Sequence, residues 1–346
     1  MKEVKVGLIG LGFMGTTHLK VYAAMKGVRL TALCDVDPEK RRGDIGEVTG
    51  NTGTKDADVI ALDGVKTYAS AFDLVADPEV DLVDICVPTP LHADIAIAAL
   101  KAGKHVHCEK PLCRNAAELK RIVAAARRAK GFFNVEMTAR PSPEYAHARE
   151  FCRSGKAGKV RYAFFRRVSP NVAGNAWKDW YMDGKLSGGA LVDLHVHDAD
   201  QVNCFFGKPR SVRTSAVCGV VSRGAVDHVA TTYDYGDGTL VISEGGWAAG
   251  RGMPFEKTFM IVGDKATLKL DANGYRIFPA KGGVIVPKLP KPAVPDTHYW
   301  QVAYFADCVR KGVRPDKYQT IDSVETTMKM VFAEEKSAKS GKAERV

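Results

Sequence analysis

The stretch VKVGLIGLGFMG, residues 4–15, decides the fold of the N-terminal part of the chain. Its apolar first half is typical of a short buried strand, and the glycines that follow are spaced as Gly10-x-Gly12-x-x-Gly15. A helical pattern comes next, and the following apolar run ends at Asp35. A strand, a glycine turn, a helix and a second strand that ends in a carboxylate together predict a Rossmann unit that binds a dinucleotide.

Each glycine of this motif has a physical reason. Gly10 permits the tight turn, Gly12 lets the backbone approach a pyrophosphate, and Gly15 lets the helix pack closely on the strand. The start of the helix also offers free N–H groups and the positive end of its dipole to phosphates. The predicted cofactor contacts of this region are Gly10, Gly12, Phe13, Met14, Gly15 and Asp35.

Asp35 bears on the choice of cofactor. Its carboxylate would accept hydrogen bonds from the adenosine ribose, and its charge would repel a 2′-phosphate, so we expect NAD. Arg41 and Arg42 follow closely and weaken this preference, which makes NADP the alternative.

Strands and helices continue to alternate up to about residue 135, which predicts parallel βαβ units. Ligands of such sheets bind at the carboxyl ends of the strands, where the segments CVPTPLH (86–92) and CEKPL (108–112) lie. The predicted cofactor contacts in these segments are Pro88, Thr89, His92, Glu109 and Lys110. On composition alone, the prolines are equally well explained as loop formers, and Lys110 as a solvated surface lysine.

Beyond about residue 140 the pattern changes to strands joined by short turns, and Asn273-Gly274 is a strong hairpin signal. The fold class predicted for the whole chain is an α/β Rossmann domain plus an α+β domain with an open, mostly antiparallel sheet. We expect an NAD(P)-binding domain at 1–135 and a substrate and oligomerisation domain at 136–346, whose C-terminal helix is a candidate to pack back on the first. Because an open sheet has one uncovered face, we expect a homodimer or homotetramer.

The composition excludes several classes of protein. Hydrophobic residues make up 45% and charged residues 26%, and the net charge of +10 comes from scattered Lys and Arg without a nucleic-acid motif. No apolar run approaches the ~20 residues that span a bilayer. The eight cysteines form no Cys-x-x-Cys pair, which favours reduced thiols. We therefore expect a cytoplasmic protein with neither a nucleic-acid nor a membrane partner.

Residues 188–198, GGALVDLHVHD, place Asp193, His195 and His197 at every second position. In a strand, the three side chains would share a face and could hold a divalent metal. In a helix, Asp193 and His197 would share a face and suit a proton relay. The alternation favours a strand, whereas the lack of a helix breaker from residue 190 to 206 favours a helix, so the pattern leaves both open.

Three segments taken together resemble the glucose-fructose oxidoreductase / inositol dehydrogenase (Gfo/Idh/MocA) family. They are GLGFMGTTH (10–18), EKP (109–111) and GGALVDLHVHDAD (188–200). The first segment is shared by all Rossmann dehydrogenases, whereas the second and third in combination are specific. The resemblance extends over nearly the whole chain and implies a Rossmann domain, an open-sheet domain and NAD(P) as the cofactor.

The resemblance also implies that Lys110, Asp193 and His197 are the catalytic set. It decides residues 188–198 in favour of a helix and a proton relay, so no metal site is expected. The family often has glycine where this chain has His195, which leaves the role of His195 open. The predicted substrate contacts are Arg140, Trp177 and His195.

On this basis we expect an NAD-dependent oxidoreductase that transfers hydride between nicotinamide and a hydroxyl-bearing carbon of a sugar, sugar derivative or cyclitol. The alternatives are a redox-neutral glycosidase that uses bound NAD transiently, a non-catalytic dinucleotide-binding regulator, and a metal-dependent enzyme. A regulator has no need of a proton relay, so the joint presence of Lys110, Asp193 and His197 speaks against it.

Overall fold

The computed structural model describes residues 3–45, 62–174, 177–294 and 296–346, without the side chains of residues 177 and 178. The chain divides into two compact units. The first unit contains the N-terminal part up to Thr138 together with Pro292–Glu325. The second unit contains Ala139–Gly174, Asp179–Lys291 and Thr326–Val346.

The strands fall into two sheets, one in each unit. The strands of the first sheet are β1 (Val4–Ile9), β2 (Val28–Cys34), β3 (Lys66–Tyr68), β4 (Leu82–Ile85), β5 (His105–Cys108) and β6 (Phe133–Val135). The strands of the second sheet are β7 (Val160–Pro170), β8 (Ser211–Cys218), β9 (Val226–Asp234), β10 (Leu240–Ala249), β11 (Glu256–Gly263), β12 (Ala266–Asp271), β13 (Gly274–Pro279) and β14 (Glu344–Arg345).

The helices alternate with the strands in the first part of the chain and cluster around the strands in the rest. In chain order they are α1 (Phe13–Ala23), α2 (Pro38–Arg41), α3 (Ala71–Ala76), α4 (His92–Lys101), α5 (Ala116–Arg128), α6 (Pro143–Arg153), α7 (Gly184–Ser187), α8 (Gly189–Asp193), α9 (Val196–Phe206), α10 (Tyr299–Lys311) and α11 (Ile321–Ser340). Single 3₁₀ turns lie at Thr89–Leu91 and Trp177–Met182.

The first sheet confirms the predicted Rossmann topology. It has six strands in the order β3-β2-β1-β4-β5-β6, and every pair is parallel. Strands of a parallel sheet are covered on both faces, and β4 is accordingly buried along its whole length. The strand order reverses between β1 and β4, and a doubly wound sheet binds its ligands at the carboxyl ends of the strands on either side of that point.

Two apolar clusters pack against this sheet. In the first, α10 contributes Val302 and Phe305, which pack with Val6 of β1 and Val21 of α1. In the second, Leu8 and Leu33 come from neighbouring strands, and Leu30 of β2 packs against both clusters. The interior of the first unit therefore includes residues from the later part of the chain.

The second sheet confirms the predicted open and mostly antiparallel architecture. Its eight strands follow the order β13-β12-β11-β7-β10-β9-β8-β14, and only the pair of β7 with β10 is parallel. Buried and half-buried residues alternate along β12, as expected for a sheet with one face on the core. The hairpin predicted at Asn273-Gly274 is present, with β12 paired to β13 and Gly274 at φ +86°.

Helices cover the inner face of this second sheet. Tyr145 and Ala148 of α6, Val202 of α9 and Met330 of α11 form one buried cluster with strand residues such as Phe259. The same arrangement places α8 and α9, which contain the segment 188–198, directly on the sheet.

The segment 188–198 is helical, as the family resemblance predicted, but it forms two helices. α8 ends at Asp193 and α9 begins at Val196. Gly188 and Gly189 both have left-handed φ values, of 78° and 71°. A Cβ atom on Gly189 would lie 2.4 Å from the carbonyl oxygen of Val226, so this glycine lets α8 approach β9 closely.

Within the described ranges, none of the helices has both the length and the apolar character that crossing a bilayer requires. All eight cysteines lie in these ranges and are present as thiols.

Candidate active site

The glycine turn after β1 is built as the motif predicts. Gly10 has φ +94°, and a Cβ atom on it would lie 2.5 Å from the carbonyl oxygen of Cys86. A Cβ atom on Gly15 would lie 1.9 Å from the carbonyl oxygen of Gly10, so both positions are closed to a side chain by the protein's own backbone. Among the residues that the structure describes, a Cβ atom on Gly12 would meet nothing within 4 Å. The only one of the three that faces open space is the glycine assigned to the approach of a pyrophosphate.

The start of α1 lacks the features that usually satisfy a helix end. Its N-cap residue is Gly12, which has no side chain that could cap the helix, and the first turn, Phe13 to Thr16, contains no acidic residue. The leading backbone N–H groups of a helix have no partner within the helix itself. The N–H groups of Phe13 and Met14 belong to this turn, and they suit the phosphates of a dinucleotide.

Asp35 is anchored beside this turn. Its Oδ2 accepts a hydrogen bond of 2.7 Å from the backbone N–H of Leu11, and its Oδ1 accepts one of 2.9 Å from Asp37. The guanidinium of Arg41 is already engaged by the backbone, because its Nη1 donates to the carbonyl oxygens of Asp35 and Val36 at 2.7 and 3.1 Å. It is therefore not held in reserve for a 2′-phosphate on the ribose. The carboxylate is thus held in place, and the nearby arginine is engaged by the backbone.

The loop after β4 contains Pro88, Thr89 and His92, all predicted to contact the cofactor. Thr89 is 1% exposed, and among the described residues its hydroxyl has no hydrogen-bond partner. A buried hydroxyl without a hydrogen-bond partner destabilises the folded protein unless a bound group supplies that hydrogen bond. Pro88 lies immediately before the 3₁₀ turn. This loop therefore offers one unsatisfied polar atom at the end of β4.

The structure gives His92 two backbone contacts besides the predicted contact with the cofactor. Its Nε2 lies 2.8 Å from the carbonyl oxygen of Val87, and its Nδ1 lies 2.9 Å from that of Pro111. Both ring nitrogens are therefore directed at backbone, and burial lowers the pKa of the imidazole. Through these contacts His92 connects the loop after β4 to the loop after β5, and its predicted contact with the cofactor stays a prediction.

Glu109 and Lys110 follow β5 directly. The buried Glu109 accepts a hydrogen bond of 2.9 Å on Oε2 from the backbone N–H of Lys110, and its Oε1 lies 3.3 Å from Nε2 of His18. The Lys110 side chain is partly exposed, and the Lys110–Pro111 peptide bond is cis. Burial alone would raise the pKa of Glu109, but His18 and Lys110 hold it below its ordinary value.

His18 completes a buried charge cluster that the sequence analysis missed. Its Nδ1 lies 2.8 Å from Oδ2 of Asp84, and Tyr22 donates to the same oxygen at 2.8 Å. Burial disfavours a charged imidazole, but Cys86 and Asp84 outweigh it and raise the pKa of His18 well above its ordinary value. The motif GLGFMGTTH ends at this histidine, which was the available signal, but the sequence does not show which carboxylates face it.

Two groups of side chains in the described residues are close enough to share a metal ion. They are His18–Asp84–Cys86 and His18–His107–Glu136, both in the first unit. Their donors already bond to one another, since His107 Nε2 lies 2.7 Å from Glu136 Oε2. The triplet Asp193, His195 and His197 is not among these groups, because the helical break separates its members.

In the second unit, Asp193 ends α8 and His197 is the second residue of α9. The exposed fractions of these residues are 7% and 8%. The other acidic and histidine residues of the segment, His195, Asp198 and Asp200, are at most 1% exposed. Among the acidic and histidine residues of this segment, the pair assigned to catalysis by the family resemblance therefore keeps the largest exposed fraction, although both side chains are buried.

Two of the three predicted substrate contacts, Arg140 and His195, are buried. Arg140 is 1% exposed, and its guanidinium makes two hydrogen bonds to Asp200, of 2.8 and 2.5 Å. His195 is fully buried, with Nε2 3.0 Å from Ser243 Oγ. Both side chains contact protein groups on all sides, which leaves no surface for a substrate. The side chain of Trp177 lies outside the described part of the chain.

A second buried ion pair in this region was also missed. Arg167 of β7 donates through Nε to Asp198 of α9 at 3.0 Å, and both side chains are at most 4% exposed. Together with Arg140–Asp200, this pair fastens α9 within the second unit. The run of acidic residues in DLHVHDAD was the sequence signal, but the arginines come from distant parts of the chain.

Two family models match this chain. One, described as an oxidoreductase family with an NAD-binding Rossmann fold (GFO_IDH_MocA), matches residues 4–137. The other, the C-terminal domain of the same family, matches residues 145–269.

Curated relatives carry dehydrogenase names. Levoglucosan dehydrogenase of Pseudarthrobacter phenanthrenivorans is 31% identical over 60% of this chain and 52% of its own length. Myo-inositol 2-dehydrogenase of Thermotoga maritima is 28% identical over 59% of this chain and 55% of its own length. The chain thus spans about half the length of these curated relatives.

Solved structures share the fold over the whole chain. Levoglucosan dehydrogenase in complex with NADH and levoglucosan superposes with a TM-score of 0.85 at 21% identity, covering 100% of both chains. Myo-inositol 2-dehydrogenase from Lactobacillus plantarum gives 0.80 at 24% identity, again with 100% of both chains covered.

The two family models cover most of the chain, and the Rossmann fold in the description of the first agrees with the six-stranded parallel sheet. The first unit is therefore an NAD-binding Rossmann domain, and the protein belongs to the Gfo/Idh/MocA family of oxidoreductases.

Proposed function

We propose that this protein is an NAD-dependent dehydrogenase that oxidises a CH–OH group of a sugar, a sugar derivative or a cyclitol. The observation that carries the proposal is the contrast within residues 193–200. Asp193 and His197 keep 7% and 8% of their surface exposed, whereas the histidine and acidic residues around them are at most 1% exposed. A carboxylate and an imidazole that keep a small exposed fraction in a segment whose other charged groups are closed off are suited to proton transfer with a bound molecule.

The first unit fits the cofactor. The uncapped start of α1, the open space at Gly12, the anchored carboxylate of Asp35 and the unsatisfied hydroxyl of Thr89 suit a dinucleotide. When bound, NAD would supply the hydride acceptor. NAD is favoured over NADP because Asp35 is fixed at the turn, whereas Arg41 is occupied by backbone carbonyl oxygens.

Three side chains carry the proton chemistry in this proposal. Oxidation of an alcohol removes a proton from its oxygen and a hydride from its carbon. His197 takes the proton, because imidazole exchanges protons near neutral pH. Asp193 orients His197 and the substrate hydroxyl. The Lys110 ammonium binds the hydroxyl oxygen and stabilises the negative charge that develops there.

The names of the relatives point to the first substrates to try. Levoglucosan and myo-inositol are both polyhydroxylated rings, and each appears in the name of a curated relative and of a similar structure. We propose that this chain also takes a ring of this kind.

The decisive experiment measures NADH formation by the purified protein with NAD and a panel of sugars and cyclitols that includes levoglucosan and myo-inositol. Lys110→Met and His197→Ala are compared with the wild type. Lys101→Met and His147→Ala serve as matched controls, since Lys101 is exposed on α4 and His147 lies on α6. We expect turnover in the wild type and both controls, and its loss in both test variants.

Other outcomes would redirect the proposal. If the wild type binds NAD but forms no NADH with any substrate, a redox-neutral glycosidase is tested next by the cleavage of aryl glycosides. Unchanged activity in His197→Ala would remove the proposed proton acceptor. Activity that is lost with a chelator and restored by a metal ion would favour the metal-dependent alternative.

We also propose that the protein self-associates through the outer face of its second sheet. Phe164 of β7 and Met260 of β11 lie opposite each other in the sheet, and both are half-buried in the single chain. Apolar side chains left partly bare on a broad face favour a partner. Light scattering would show a homodimer or homotetramer, and a monomer at all protein concentrations would contradict the proposal.

A further inference from the structure

His195 lies between the two proposed catalytic residues in the sequence, yet it points into the protein. It is the residue before α9, its backbone N–H bonds to the carbonyl oxygen of Ala190 at 2.8 Å, and its side chain is 0% exposed. Asp193 and His197, two positions away on either side, keep 7% and 8% of their surface exposed. Two residues, Leu194 and His195, join α8 to α9. Leu194 packs in an apolar cluster, and His195 provides the polar attachment of this junction to the interior.

The interior partners of His195 form a buried polar cluster. Nε2 of His195 lies 3.0 Å from Ser243 Oγ on β10 and 3.2 Å from Glu334 Oε2 on α11. The hydroxyl of Tyr233 on β9 donates to Oε1 of Glu334 at 2.7 Å and lies 2.7 Å from Ser243 Oγ. All four side chains are at most 1% exposed.

Burial raises the importance of these contacts. A carboxylate with no exposed surface requires partners, because an uncompensated buried charge is strongly destabilising. Glu334 has Tyr233 on one oxygen and His195 beside the other. The contacts with Ser243 and Glu334 therefore fix the position of the imidazole, and the imidazole in turn stabilises the buried Glu334.

The residue of β10 that faces the imidazole of His195 is a glycine, Gly245. A Cβ atom on Gly245 of β10 would lie 2.8 Å from Nδ1 of His195 and 3.1 Å from its Cβ. The absence of a side chain at Gly245 thus makes the space that the imidazole fills. A smaller residue at position 195 would leave this space empty and the cluster open.

We propose that His195 is a positioning residue, which fixes the junction of α8 and α9 to β10 and α11 and thereby holds Asp193 and His197 in place. The proposal rests on the proposed function, because it assigns those two residues to proton transfer. It gives the C-terminal helix α11 a part in the active site through Glu334, although Glu334 touches no substrate.

The test compares three variants with a matched control. His195→Leu removes the polar contacts at similar volume, Ser243→Ala removes one partner, and His195→Gln keeps a donor near the position of Nε2. The control is Thr214→Val, which breaks the buried Thr214–Thr231 hydrogen bond of 2.9 Å on the same sheet. Amide hydrogen exchange of peptides from 188–198 and 211–218 is measured with thermal unfolding, NADH affinity, kcat and KM.

If His195 positions the junction, His195→Leu and Ser243→Ala speed exchange in 188–198 more than in 211–218, and Thr214→Val does the reverse. We expect kcat to fall roughly ten- to hundredfold in His195→Leu, since small misplacements of catalytic groups are costly, while NADH affinity stays within about twofold. His195→Gln should restore most of kcat.

The idea is overturned if exchange in 188–198 is unchanged in both His195→Leu and Ser243→Ala. It is also overturned if Thr214→Val loses as much kcat at the same loss of thermal stability. These outcomes are separate from a failure of the proposed function, in which Asp193→Asn and His197→Ala keep wild-type activity. The exchange measurement needs no substrate and decides the structural part by itself.

Discussion

Nε2 of His18 lies 3.3 Å from Oε1 of Glu109, and neither side chain is more than 4% exposed. On its other side, His18 bonds to Asp84 at 2.8 Å, so the imidazole lies between two buried carboxylates. Glu109 in turn accepts the backbone N–H of Lys110. Through His18 and Glu109, α1 thus fixes the backbone of Lys110, the proposed catalytic lysine.

This arrangement predicts a pH dependence of stability. The pKa of His18 is raised well above its ordinary value of 6.5, so the folded chain keeps a proton that the unfolded chain loses as pH rises. The stabilising effect is complete below about pH 6.5 and declines as pH rises towards the folded-state pKa. Between mildly acidic and mildly alkaline pH, the free energy of unfolding should therefore fall more steeply in the wild type than in His18→Asn. The free energy of unfolding is measured by urea unfolding at several pH values. An equal dependence on pH in the two proteins would contradict the charged state of His18.

The glycine turn predicts that binding and folding can be separated. Gly12→Ala places a methyl group in open space, so the unfolding midpoint should hardly change. NADH affinity should fall at least roughly tenfold, because the methyl group keeps the pyrophosphate away from the backbone. Gly15→Ala is the contrasting variant, since its Cβ atom would lie 1.9 Å from a backbone oxygen, and it should impair folding itself. Fluorescence titration with NADH beside thermal unfolding distinguishes the two effects.

Asp35 should decide between NAD and NADP. Asp35→Asn keeps an acceptor for the N–H of Leu11 but removes the charge that opposes a 2′-phosphate. NADH affinity should drop roughly ten- to hundredfold, the range for a hydrogen bond to a charged group, and the preference over NADPH should narrow. Asp37→Asn is the control, because Asp37 caps the short α2. An unchanged ratio of the two affinities in Asp35→Asn would remove Asp35 from the ribose site.

Arg140 should matter for stability and not for substrate binding. Arg140→Met leaves Asp200 buried, with Thr327 as a partner at 2.8 Å. Breaking a buried ion pair on one side costs about 3–5 kcal/mol, whereas Arg161→Met, in an exposed pair with Asp264, should cost less than about 1 kcal/mol. Urea unfolding measures both values. A folded Arg140→Met protein with native stability and a raised KM would restore the predicted substrate contact.

The sequence motifs predicted those features whose geometry depends on residues close together in the chain. The strand, the glycine turn and Asp35 lie within one βαβ unit, so their sequence spacing determines their geometry. The segment 188–198 was different, because the alternation of Asp193, His195 and His197 is typical of a strand. Tertiary packing decides here: α8 and α9 lie on the sheet, and the break between them directs His195 inward.

The buried ion pairs could not be predicted for a related reason. Arg140 and Asp200 are 60 positions apart, and His195 meets Glu334 from the C-terminal helix. Nothing in the spacing of these residues indicates that they meet. For this reason Arg140 and His195 were assigned to a substrate, whereas the structure shows that each is enclosed by protein.

The parallel pair of β7 and β10 has a consequence for how the second unit folds. Arg166 lies beside Glu244 and donates a hydrogen bond to it, although the two residues are 78 positions apart in the chain. The loop that joins them must close before the centre of the sheet exists, and such long-range pairings slow folding. The hairpin of β8 and β9 needs no such closure. We expect this hairpin to form first. β10 then pairs with β9, and β7 pairs with β10 last.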